Sequence, residues 1–403
     1  MSEKSQIEDL LKQAISLYSK EGSAKNELIL YYKFQKILYV ISDLLDFPSK
    51  INNREKRNLI ERVIEHLRSS DSIDYQVFYK SLLEEDKKRL KWEKYSFLFS
   101  FNISEEYMKF FEGLKLGCYS LENINKDYFL NKLKENLKIA EVKDYFAKSE
   151  WARVIVHASD KEQASKLGWL FSERIRALIN FILTFNKINY VSHPMQLSRI
   201  SPSHFYFLFD VDDNYIEYYK QIEEYRYKTM NFCSTELDNI VKFIKDFNNL
   251  PDSKLKNVLL ECFQLYNIAI DSSKYDYSFI VLWSIIDILV DVKKGKDILK
   301  KLYYKTPNER LMCLLIDALY NKRNQLIHQG RVLDIDIDDI NYLKSIIASL
   351  LWFVFELLRE RGEKFGNLSQ LREILSILDF EEDKLQERID MISYIKGMRI
   401  KSQ

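Results

Sequence analysis

The chain has 403 residues, 46% of them hydrophobic, which excludes a disordered chain and leaves room for two or three domains with cores of their own. Only 9 glycines and 5 prolines accompany 30% charged residues, a composition that favours long helices over tight turns. The net charge of +1 excludes a global electrostatic pull toward nucleic acid, so any such contact has to come from local clusters.

The four cysteines, Cys118, Cys233, Cys262 and Cys313, lie far apart with no CxxC pair, which fits neither a zinc site nor a disulfide framework. They are expected to be reduced, mostly buried thiols. Met1 to Gln6 leads into charged amphipathic sequence, and no stretch is expected to reach membrane-spanning length without charge. A cytoplasmic location without a membrane partner is the expectation.

From Ile7 to Leu90 apolar and charged positions alternate at helical spacing, as in Leu30, Phe34, Ile37, Leu38 and Ile41, with breaks at Gly22, Pro48 and Ser69 to Asp71. The pattern predicts four helices and a first region over 1–90. The texture then changes. Tyr95 to Phe101 alternates with period two, and Val154 to Val156 and Phe205 to Phe209 are short β-favouring runs. Between the last two, Asp160 to Phe185 has helical spacing, followed by a loop with His193-Pro194 and Ser201-Pro202. Past Tyr215 the sequence is expected to return to helix, and Pro251 is the best candidate boundary. Residues 91–250 thus read as a small mixed α/β unit, expected to serve as a sensor or regulatory domain.

From Pro251 nothing resembles a strand. Helices are expected over Ser253–Ser272, Tyr277–Val292, Pro307–His328 and Asp334–Arg361, within a C-terminal region 251–403. Thr306-Pro307 suits a helix start, and Gly330 suits a stop. At about 100° per residue, Leu311, Leu315, Ala318, Leu319 and Leu326 share the face expected to be buried. Asn324 and His328 share roughly the opposite one, with Arg323 on the flank. The fold class expected is therefore mainly α (α+β).

The helix Phe279 to Asp291 is apolar almost all round, so its polar exceptions are informative. Ser284, Asp287 and Asp291 form one stripe, and a carboxylate in such a helix needs a partner to offset its desolvation. Arg323 is the candidate partner of Asp287. Just before the motif helix, Lys293, Lys294, Lys296, Lys300, Lys301 and Lys305 form a basic cluster with Tyr303 and Tyr304 interleaved. Such a cluster suits phosphate contacts and base stacking, and equally a solvated loop.

An acidic apolar helix, Trp283-Ser284-Ile285-Ile286-Asp287-Ile288-Leu289, followed by Arg323-Asn324-Gln325-Leu326-Ile327-His328-Gln329-Gly330, resembles the HEPN superfamily, and best its Apea-like branch. The resemblance covers roughly residues 252–362, and Asp287 stands where the family often has Glu. It implies a four-helix bundle carrying a metal-independent endoribonuclease without cofactor, in bacterial antiphage (abortive infection) defence, cutting tRNA or other RNA. It further implies a homodimer with the two motifs facing one cleft, and regulation by a phage-derived trigger or an antitoxin.

The chemistry needs few groups, because the 2′-hydroxyl of RNA is an internal nucleophile. His328 is the candidate base or acid, Arg323 the phosphate clamp, Asn324 an orienting group and Asp287 the residue that holds Arg323. Lys293, Lys294, Lys296, Lys300, Lys301 and Tyr304 are the candidate RNA contacts. Two other readings stay open: a non-catalytic RNA-, nucleotide- or protein-binding module, and a toxin of a toxin–antitoxin pair. His66, His157, His193 and His204 have no metal-ligand spacing. Asp334 to Asp339 has Asp339 where a calcium loop requires Gly and Ser345 where it requires Glu, so it reads as a helix cap.

Overall fold

A computed structural model describes residues 3–18, 24–45, 53–67, 74–89, 93–136, 145–146, 149–185, 198–201, 203–220, 232–290, 295–329, 335–362, 366–378, 383–387 and 389–390. The chain is mainly helical with one small antiparallel sheet, and it divides into two compact units, 1–94 with 157–164, and 95–156 with 165–403.

The first unit contains α1 (Glu3–Tyr18), α2 (Ala24–Leu44), α3 (Asn53–Leu67) and α4 (Tyr75–Arg89). Their helical spacing turns Leu11, Leu38, Ile41, Ile60, Val63, Phe78 and Leu82 into one core. The four helices match the expectation for 1–90.

The second unit is built on a sheet of strand order β2-β3-β4-β1-β5-β6, formed by β1 (Glu93–Phe101), β2 (Lys115–Leu116), β3 (Tyr119–Asn123), β4 (Glu150–Ala158), β5 (Phe205–Phe209) and β6 (Tyr215–Lys220). The pairs β1–β5, β2–β3, β3–β4 and β5–β6 are antiparallel. The three strands expected from the sequence are present. The helix expected directly after Tyr215 is not: those residues are β6, because aromatic and β-branched side chains suit the edge of β5 and a turn closes the hairpin. In that turn the Asp210 carboxylate accepts from the Asp212 and Asn214 amides at 2.9 and 2.8 Å, and Asp213 takes φ 55°. The next helix among the described residues begins at Ser234.

Alternation along the strands covers both faces of the sheet. Leu98, Phe205, Phe207 and Phe209 pack with Phe129 and Leu133 of α6 (Lys126–Asn136) and with Phe146 and Trp151. α5 (Glu105–Phe111) precedes β2, and α7 (Lys161–Thr184) lies on the opposite face. There Phe171 meets Phe99 with ring centroids 6.3 Å apart, and Gly168 passes so close that a Cβ would sit 2.1 Å from Phe97.

The helices that follow are α8 (Ser234–Asn248), α9 (Lys254–Asp271), α10 (Tyr275–Leu289), α11 (Gly295–Lys301), α12 (Glu309–Gln329), α13 (Ile337–Arg361) and α14 (Leu368–Ser376). No strand occurs among the described residues beyond Pro251, as expected, and Pro251 itself lies inside the second compact unit. Asp336 caps α13, accepting from the Asp339 amide at 2.9 Å while Asp339 reaches back to the Asp336 amide, so the acidic run acts as a helix cap. Thr306 does not cap α12: its hydroxyl donates backward to the Tyr303 carbonyl at 2.7 Å, and the helix begins at Glu309.

α13 is the one helix among the described residues long and apolar enough to cross a membrane; Lys344 and Glu356 interrupt it, in keeping with the expectation that no uncharged stretch reaches that length, and 61% of its most apolar window is buried within the protein. Leu343, Ile347, Leu350, Leu351 and Val354 are fully in the core, as befits a central bundle helix. Two of the four cysteines, Cys118 and Cys233, are exposed, which corrects the expectation of mostly buried thiols.

Candidate functional site

α10 is buried along most of its length through Phe279, Leu282, Trp283, Ile285, Ile286 and Leu289. The Ser284 hydroxyl is absorbed locally, donating to the Val281 carbonyl at 2.7 Å. Asp287 in the last turn cannot be absorbed so, since it has no proton to give. Its carboxylate meets Arg323 Nη2 of α12 at 3.4 Å, with side-chain exposures of 26% for Asp287 and 13% for Arg323. Burial raises the Asp287 carboxyl above its ordinary range, and the guanidinium pulls it part of the way back.

The packing of α12 differs from expectation. Leu311 is 66% exposed and Ala318 is exposed, whereas Ile316 and Leu319 are buried. The helix carries two apolar strips, and the buried one is the strip in line with Arg323, seven residues past Ile316 and four past Leu319. Arg323 therefore points inward at Asp287 and not along the flank. Its Nη1 donates to Asn324 Oδ1 at 3.2 Å, so one guanidinium joins both polar partners.

His328 lies in the last turn of α12, four residues past Asn324 and on the same side of the helix; its side chain lies outside the described residues. Asp291, Lys293 and Lys294 also lie outside them.

The remaining basic residues are engaged within the protein. Lys296 and Lys300 of α11 reach the Asp317 carboxylate of α12 at 3.3 and 2.6 Å. The Lys300 ammonium, with Lys296 beside it, holds that carboxyl below the ordinary range. Lys301 donates to the Ser376 carbonyl at 2.7 Å, and Lys305 lies 5.4 Å from the centre of the Tyr304 ring. The cluster is thus not a free run of ammonium groups.

Three neighbours were not anticipated. Asp317 and Tyr320 share a stripe with Asn324 at spacings of three and four, a signal readable in the sequence. Arg372 of α14 donates to the Ile288 carbonyl at 3.0 Å, one residue from Asp287, and no local pattern announces a contact 84 residues away. Of the other histidines, His204 packs its ring on Tyr145 and Phe205 at 5.5 and 4.7 Å, as a rim residue would. Among the described residues no group of three or more His, Cys, Asp or Glu side chains is placed to hold a metal ion. Comparison of the chain with protein-family models, with curated proteins and with solved structures finds no match.

Proposed function

We propose that the C-terminal helices form a HEPN-type, metal-independent endoribonuclease acting on tRNA or other RNA in antiphage defence in the cytoplasm. The observation that supports this reading best is the arrangement on α12: Arg323 held by Asp287 at 3.4 Å, Asn324 joined to the same guanidinium, and His328 one turn further along the same side. Guanidinium, amide and imidazole are residue types sufficient to promote attack by the RNA 2′-hydroxyl on the adjacent phosphate. The imidazole accepts or returns a proton, the guanidinium offsets charge on the phosphorane, and the amide orients either partner. Asp287 acts through Arg323.

Supply of both an acid and a base calls for a second imidazole, and the reading includes a homodimer. Leu311 and Leu314, 66% and 61% exposed, form with Ala318 an apolar strip on the motif helix suited to a second copy.

A second reading is favoured by one feature. The Arg323 guanidinium is turned into Asp287 and Asn324, as a purely structural arginine would be, which suits a non-catalytic binding module.

Incubation of total RNA and tRNA with the purified chain in EDTA, followed by mapping of product ends, separates the two. The expected result is cutting that leaves cyclic or 3′-phosphate ends and falls by about a hundredfold or more in His328→Ala and Arg323→Ala. Full cutting by Arg323→Ala overturns the mechanism. RNA binding that survives His328→Ala, with neither form cutting, establishes the binding module.

A further inference from the structure

Lys296 and Lys300 lie one turn apart on α11 and converge on a single carboxylate, Asp317, at 3.3 and 2.6 Å. Among the described residues two ammonium groups face one carboxylate and leave an excess positive charge, and all three side chains are partly open to solvent, where ion pairs hold weakly and exchange partners readily. Lys296 Nζ also stands 5.3 Å from the centre of the Tyr320 ring, which Trp283 backs at 5.9 Å. Asp317, Tyr320 and Asn324 follow one another along the same side of α12, so this group leads directly to the end of the helix that carries His328.

A phosphodiester carries the same single charge as a carboxylate and accepts the same hydrogen bonds. An aromatic ring beside it offers the face on which a base stacks. We infer that Lys296, Lys300 and Tyr320 form a subsite for a nucleotide of the same strand, about 16 Å along α12 from His328 and so more than one nucleotide from the scissile one, and that Asp317 fills the place of its phosphate in the free protein. Asp317 is then an internal competitor that keeps non-specific RNA binding weak and is displaced when a strand reaches the site. The inference rests on the ribonuclease reading, because that reading supplies the strand.

The test measures binding separately from cutting, with the full chain carrying His328→Ala so that the probe survives. A labelled single-stranded RNA of about 12 nucleotides is titrated over a range of salt concentrations. Asp317→Asn, which keeps the side-chain shape, is expected to tighten binding about three- to tenfold at low salt and to steepen the salt dependence by about 0.7 per phosphate gained. The double variant Lys296→Ala, Lys300→Ala is expected to weaken binding and flatten that dependence. Asp297→Asn removes the same charge from an exposed position on α11 and is expected to leave both unchanged.

An Asp317→Asn chain that binds as its parent does, or an equal gain from Asp297→Asn, overturns the subsite. Absence of RNA binding in every variant overturns it as well. The expected binding changes without cutting by the wild-type chain would overturn the ribonuclease reading and leave the subsite standing. Cutting that depends on Arg323, with no response to Asp317→Asn, removes the subsite alone.

Discussion

Asp287 is the residue on which the candidate site turns, because its carboxylate lies in a largely apolar helix and, among the described residues, pairs with the Arg323 guanidinium. Burial raises its carboxyl, and Arg323 lowers it, with the balance above the ordinary value. A carboxyl raised on folding holds its proton more tightly in the folded chain. Its contribution to stability is complete below the unfolded Asp range near about 3.9 and is lost as pH rises through the folded value. Arg323→Ala should therefore move the Asp287 titration further upward, and Asp287→Asn should remove that part of the stability–pH curve. A carbon-13 NMR titration of the carboxyl reads the first effect directly; a downward or absent shift in Arg323→Ala shows that the pair does not couple. The partnership itself was readable in the sequence, since a carboxylate in an apolar helix needs a cation nearby. The direction taken by Arg323 was not, because α12 has two apolar strips and spacing alone does not choose between them. Tertiary packing chooses, and it leaves Leu311 and Leu314 outside.

At the scale of elements, α14 lies beyond the segment that resembles a HEPN bundle, yet it is fixed to it at two carbonyls. Arg372 donates to Ile288 at the end of α10, and the Ser376 carbonyl at the end of α14 accepts from Lys301 of α11, while Leu371 and Leu375 are fully buried. The Ile288 carbonyl belongs to the last turn of α10, whose end carbonyls look to donors outside the helix. A charged donor there stabilises by about 1.5–3 kcal/mol, offset in part because Arg372 Nε is buried with no hydrogen-bond partner among the described residues. Arg372→Ala is expected to lower stability by about 1–2 kcal/mol and to speed amide exchange in the last turn of α10, with Arg372→Lys recovering part of both. Unchanged exchange in Arg372→Ala would show that α14 does not brace Asp287. Elements of this kind set the limit of sequence reading. Long periodic helices and the β-favouring runs of β1, β4 and β5 were legible. β6 was not, since its strand state depends on pairing with β5, and α11 and α14 are too short to show a clear period.

Across the second unit as a whole, the sheet layer and the C-terminal helices are joined by a buried polar network that the sequence gives no means of predicting. Arg176 of α7 is buried and makes a two-pronged contact with Asp271 at the end of α9, at 3.0 and 2.7 Å, with Glu173 on its other side. Burial alone would lower the guanidinium, but Asp271 and Glu173 hold it well above its ordinary value, so it stays charged. Asn180 accepts from the Arg199 and Ile200 amides at 3.1 and 2.7 Å, and Thr184 meets the Tyr266 hydroxyl at 3.0 Å. The Ser198 amide donates to the Ile270 carbonyl at 3.1 Å, tying the segment before β5 to α9 as well. Pro251 marks a composition break, and these bonds cross it. Removing one partner of a buried pair strands the other charge and costs about 3–5 kcal/mol. Asp271→Ala should thus destabilise the sheet and the bundle together. Native-state hydrogen exchange in rising denaturant should show β1 and β4 opening with the same free energy as α9 and α10, in the parent and the variant alike. If α9 and α10 instead open first while the sheet keeps its protection, the two layers fold as separate bodies. Joint opening would show that the network couples residues 91–250 to the helices that carry Asp287 and Arg323.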